Sequence, residues 1–150
     1  MNINLVFSSV DLRQFVENIL RQRGYKQLMR EKFIAASSLK QPFYTQQLDL
    51  CSSIYGGKVR CDFVLYHPTK HPDFLIIESK WQQTSGSVDE KFPYLVENIK
   101  KQYPYNTLIV IDGGGYKRNA LEWMKNQVDD KLIGVYGMDD FQHLAHEGLI

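Results

Sequence analysis

The chain has 150 residues, of which 43% are hydrophobic and 23% charged, a composition that excludes a disordered or collagen-like protein. Its length predicts one domain over residues 1–150. There is no run of about 18 apolar residues, so we expect no membrane partner. Two cysteines make no disulfide framework in a chain of this size, and we expect a cytoplasmic protein.

The first 60 residues are basic, whereas the remainder of the chain is acidic. Residues 1–60 carry nine Lys and Arg against four Asp and Glu, a net charge of +5, and residues 61–150 carry −4. This asymmetry indicates an anionic partner for the N-terminal part. Solvated helix faces would give the same count.

In the first half, a helix and a β-hairpin are predicted. Apolar periodicity predicts an amphipathic helix over residues 10–20, capped by Ser8 or Ser9 and ended by Gly24. Residues 25–41 are ambiguous. Strands at 43–52 and 59–66 flank a Gly-Gly turn, and residues 67–73, with two prolines, predict a polar turn.

Strands and helices alternate in the second half. Residues 74–77 are wholly apolar, which is typical of a strand buried on both faces, and residues 81–88 predict a polar loop. The elements expected after the loop are a helix at 89–103 with Pro93 in its first turn, a strand at 107–111, a glycine-rich loop, a helix at 119–128, a strand at 132–136 and a helix at 139–146. This order predicts an α/β fold with a mixed central sheet flanked by helices.

Three charged residues fall on neighbouring predicted strands. Asp62 lies in the second hairpin strand, and Glu78 and Lys80 share one face at the end of the next strand. Such charges are costly unless they are paired, metal-bound or solvated. Two adjacent carboxylates favour a divalent cation, and hard oxygen ligands suit Mg²⁺. A structural ion pair between Asp62 and Lys80 is the alternative.

The stretch from Arg60-Cys61-Asp62 through Glu78-Ser79-Lys80 resembles the PD-(D/E)XK nuclease superfamily, with Cys61 where the motif name has proline. The resemblance covers most of the chain and implies a restriction-endonuclease-like core. Residues 78–91 are further similar to the bacterial homing endonucleases of this fold that group I introns encode. That similarity implies double-strand cleavage of a long double-stranded DNA site by a homo-oligomer, a dimer or tetramer, that uses Mg²⁺ with Mn²⁺ as a substitute.

The resemblance also implies roles for individual residues. Asp62 and Glu78 would be metal ligands, the carbonyl of Ser79 would be a third, and Lys80 would orient or activate the attacking water. Many superfamily members add an acid from the first helix, for which the sequence offers Asp11 and Glu17.

Further contacts are predicted from position alone. Gln82 shares a face with Lys80 if the strand continues, and would contact water or a phosphate. Residues 25–47 and the loop before the helix at 119–128 are the expected DNA-facing surfaces. The DNA-binding residues predicted there are Lys26, Arg30, Lys32, Lys40, Gln46 and Lys117.

The alternative functions either use the same chemistry on another substrate or involve no catalysis. A Holliday-junction resolvase or a restriction endonuclease would use the same residues on another substrate, and a non-catalytic DNA-binding module would use none of them. The glycine-rich loop of residues 112–115 has no GK[ST] and no GxGxxG pattern, so we expect no nucleotide cofactor.

Overall fold

The N-terminal helix, α1 (Ser9–Gln22), forms because Leu12, Val16 and Ile19 recur at helical spacing and bury one face. It ends before Gly24, whose φ of 91° suits glycine. The computed structural model describes residues 9–81, 87–114 and 118–150. The predicted cap Ser8 therefore lies outside the described residues.

Strands in the described ranges form one six-stranded sheet, and their order across it is their order in the chain. They are β1 (Lys26–Gln27), β2 (Phe43–Ser52), β3 (Lys58–His67), β4 (His71–Trp81), β5 (Thr107–Asp112) and β6 (Leu132–Tyr136). The neighbours β2–β3 and β3–β4 are antiparallel, whereas β1–β2, β4–β5 and β5–β6 are parallel. The predicted mixed sheet is confirmed.

Helices cover both faces of this sheet. The others are α2 (Arg30–Phe33), α3 (Ser87–Lys101), α4 (Arg118–Asn126) and α5 (Met138–His146), with a 3₁₀ turn at Ala36–Leu39. One apolar core combines residues of α1 and α5 with Phe63, Leu65 and Ile77, and the other combines residues of α3 and α4 with Val64 and Ile76. Side chains of β3 and β4 thus alternate between two cores, which is why their central runs are wholly apolar.

The segment around Pro72 differs from the prediction. Residues 67–73 were expected to be a turn, but β4 already begins at His71, and it continues to Trp81, the first residue of the predicted loop. Pairing of β4 with β5 starts only at Ile76, so Pro72 lies near the start of the strand, where β5 does not pair with it and proline is tolerated.

The third helix also starts earlier than predicted. Because α3 begins at Ser87, Pro93 lies in the helix interior rather than in the first turn. The ambiguous residues 25–41 contain β1, α2 and the 3₁₀ turn, each of four residues or fewer. Among the helices that the structure describes, none is long and apolar enough to cross a membrane.

Candidate functional site

Antiparallel pairing of β3 with β4 brings the three charged residues together. Phe63 pairs with Ile77, and this register sets Asp62 opposite Glu78. Glu78 and Lys80 project from the same face of β4, with the Lys80 Nζ 3.9 Å from the Glu78 Oε2. The predicted cluster of Asp62, Glu78 and Lys80 is therefore present in the fold.

Asp62 accepts hydrogen bonds at both of its carboxylate oxygens. Its Oδ2 accepts one from the backbone N–H of Ser79 at 2.8 Å and one from the Ser79 Oγ at 3.2 Å. Its Oδ1 accepts a third from the Gln47 Nε2 at 3.3 Å. A carboxylate has about four acceptor positions, and these contacts use three of them.

Glu78 is a buried acid whose side chain is only 3% exposed. Burial, together with the negative charge of Asp62, raises its pKa from 4.5 to about 8, and the nearby Lys80 ammonium counteracts this in part. The hydroxyl of Tyr103 donates to the Glu78 Oε1 at 3.2 Å. In the absence of another cation, the carboxyl therefore keeps a proton near neutral pH.

Lys80 links this buried acid to the surface. Its side chain is 37% exposed, and it lines a cleft of about 320 Å³ together with Glu78, Tyr103 and the cationic residues Lys58 and Lys91. Its lining thus combines a buried carboxyl with three lysine side chains. A phosphate entering it would meet several positive charges.

Of the two predicted accessory acids, Glu17 faces the sheet. Its Oε2 accepts hydrogen bonds from the Tyr44 hydroxyl at 2.7 Å and from the Gln46 amide, and Arg21 lies 3.7 Å away. Asp11 is exposed near the start of α1. Glu17 lines a depression with Gln46 and Gln47, next to the strand position opposite Asp62, so the structure favours it over Asp11 as a neighbour of the site.

The predicted DNA-binding residues differ in their exposure to solvent. Those that are exposed on the segment before β2 are Lys26, Arg30, Lys32 and Lys40. Gln46 is half-buried and its amide is bound to Glu17, so this amide serves an internal contact. Gln82 and Lys117 lie outside the described residues.

Two neighbours of the cluster were missed by the sequence analysis as site residues. Tyr103 follows α3 and reaches Glu78 from the core, where burial and the Glu78 charge raise its pKa. Gln47 is the last residue of the predicted DNA-facing stretch 25–47, yet it contacts Asp62 directly. Hydrophobic periodicity carries no signal for either contact, because both depend on tertiary packing.

The donor chemistry of the cluster fits a hard divalent cation. Asp62 and Glu78 are neighbouring carboxylates, and the charge of one raises the pKa of the other, an effect that a bound cation would offset. In the described ranges, the cluster included, no group of three or more His, Cys, Asp or Glu side chains is arranged to hold a metal. A cation at Asp62 and Glu78 would thus need further oxygen ligands from the backbone, water or a bound phosphate.

A mixed sheet between two helical layers, with two carboxylates and a lysine on adjacent strands, defines a restriction-endonuclease-like α/β protein. The family model described as PD-(D/E)XK nuclease superfamily domain matches residues 8–149. The chain therefore belongs to the PD-(D/E)XK nuclease superfamily. No curated protein and no solved structure matches it significantly. Membership supports nuclease activity, with DNA as the implied substrate.

Proposed function

We propose that the protein is a Mg²⁺-dependent, site-specific DNA endonuclease that makes double-strand breaks at a long target site, as in intron homing. The observation that carries the chemistry is the buried Glu78 beside Asp62, with Lys80 between this pair and solvent. Two neighbouring carboxylates, with a cationic side chain beside one of them, suit hydrolysis of a phosphodiester.

The proposed roles follow from the contacts. Asp62, Glu78 and the carbonyl of Ser79 would hold Mg²⁺, or Mn²⁺ in its place. The bound cation would supply positive charge that stabilises the developing charge on the phosphate. Lys80 would hold the attacking water and add its own charge at the same phosphate. Water attacks phosphorus, the bond to the 3′ oxygen breaks, and the products are a 5′-phosphate and a 3′-hydroxyl.

Cleavage of both strands sets a requirement on assembly. The described part of the chain carries one such cluster. Two chains would then be needed to cut two strands at once, and we propose a homo-oligomer, either a dimer or a tetramer. Two-fold symmetry would favour a target with approximate two-fold repetition. The exposed basic residues before β2, with Lys26 and Lys32 among them, would contact DNA phosphates.

The specificity is tested by selection from a partly randomised duplex library in Mg²⁺. Wild-type protein is compared with an Asp62→Asn, Lys80→Ala double variant, whose folding is checked by circular dichroism. Cut sequences that converge on a long, loosely two-fold site support the homing proposal, and a short invariant site indicates a restriction endonuclease. Cleavage confined to four-way junctions indicates a resolvase. Binding of DNA without any cleavage indicates a non-catalytic module.

A further inference from the structure

Gln47 has a left-handed backbone conformation in the middle of a β-strand. Its φ is 56°, although it is neither glycine nor in a turn. An L-residue in this region pays a steric cost, and such residues persist only where their surroundings hold them. Gln46 pairs with Phe63 and Leu48 pairs with Cys61, so the strained residue lies opposite Asp62.

Hydrogen bonds at both ends of the residue stabilise this conformation. The Arg30 Nη1 donates to the backbone carbonyl of Gln47 at 3.1 Å. The Gln47 Nε2 donates to the Asp62 Oδ1 at 3.3 Å. The left-handed residue thus lies where its side-chain amide reaches the carboxylate that the proposed function assigns to the metal.

The two oxygens of Asp62 are held by different donors. Ser79 donates to Oδ2 and Gln47 donates to Oδ1, so these two residues hold the carboxylate from both sides. Both donors are neutral, and neither cancels the negative charge as a lysine or arginine would. A carboxylate held in this way stays available to a cation.

We propose that Gln47 is a positioning residue that orients the Asp62 carboxylate for a divalent cation. This inference rests on the proposed function, because it requires Asp62 to be a metal ligand. A hydrogen-bond donor to a ligating carboxylate contributes to metal affinity without touching the metal, and its loss weakens binding by about 10- to 100-fold.

A purely structural role in the backbone conformation of β2 makes a different prediction, and two substitutions separate the roles. Gln47→Gly removes the amide and also the steric cost of the positive φ. Gln47→Leu removes the amide but keeps a side chain of similar size in the strained conformation. Both variants lose the contact with Asp62, whereas their stabilities are expected to differ, with Gln47→Gly the more stable.

The test measures Mn²⁺ binding to the DNA-free protein, from the loss of the free Mn²⁺ electron paramagnetic resonance signal, and unfolding by urea for the same samples. We expect both variants to bind Mn²⁺ about 10- to 100-fold more weakly than wild type, whatever their stability. The Mg²⁺ concentration for half-maximal plasmid nicking is expected to rise in both variants.

Wild-type Mn²⁺ affinity in both variants would overturn the inference and leave the proposed function intact. Affinity that follows stability, lost in Gln47→Leu and kept in Gln47→Gly, would overturn it in favour of the structural role. A wild-type protein that binds no Mn²⁺ and nicks no plasmid would overturn the proposed function itself, and with it the inference.

Discussion

Raising the pH is expected to destabilise the metal-free protein through Glu78. Burial and the Asp62 charge raise the pKa of Glu78 from 4.5 to about 8. The folded state therefore keeps a proton that the unfolded chain releases. Stability from this group is fully present below about pH 4.5 and is lost as the pH rises towards 8.

The size of the effect follows from the shift. One pKa unit corresponds to about 1.4 kcal/mol, so stability falls by at most about 1.4 kcal/mol per pH unit within this window. The full shift from 4.5 to about 8 sets an upper limit on the order of 5 kcal/mol for the loss. A Glu78→Gln variant has a similar size and stays neutral, so it lacks this slope.

Urea denaturation in the presence of EDTA measures the free energy of unfolding of both proteins. The measurements are made at steps between about pH 5 and about pH 8.5, a range that covers most of the expected loss. The difference between them isolates Glu78 from other groups. His71 is one such group, because burial lowers its pKa and its contribution is lost in the opposite direction, as the pH falls. Parallel curves for wild type and Glu78→Gln would refute the reasoning that burial keeps Glu78 protonated.

Three further predictions concern the surroundings of the cluster. Tyr103→Phe removes the hydroxyl that donates to Glu78, so we expect a loss of about 1 kcal/mol in urea denaturation, and an unchanged midpoint would contradict this. Asn98→Ala removes the buried acceptor that binds the Ile54 N–H at 2.8 Å, and we expect faster amide exchange at Ile54, with unchanged protection as the opposing result. Adding Mg²⁺ is expected to stabilise wild type more at pH 8 than at pH 6, and at pH 8 to stabilise Glu78→Gln less than wild type. Equal stabilisation of the two proteins at pH 8 would argue against Glu78 as a ligand.

Local patterns predict most of the sheet. The bounds of β2 and β6 agree with the predicted 43–52 and 132–136, because alternation and apolar runs are set by which faces each strand buries. The fold class follows from the order of these elements. The start of β4 could not be predicted, because Pro72 is tolerated only where β5 has not yet begun to pair.

Spacing along strands also predicts the central cluster, although not its supporting contacts. Glu78 and Lys80 share a face because they are two apart, and the hairpin brings Asp62 beside them. The contact of Tyr103 with Glu78 joins residues 25 apart in sequence, and that of Gln47 depends on a positive φ. Hydrophobic periodicity predicts neither a long-range contact nor a strained backbone conformation.

The central claim is that Asp62, Glu78 and Lys80 form a metal-dependent nuclease site. Its most direct test is nicking of supercoiled plasmid in Mg²⁺ or EDTA by wild type, Asp62→Asn and Lys80→Ala, with Lys125→Ala on the exposed part of α4 as the matched control. We expect wild type and Lys125→Ala to cut in Mg²⁺ alone, and the two cluster variants to be at least about 100-fold slower while remaining folded. Equal cleavage by all four proteins, or cleavage that persists in EDTA, would contradict the account.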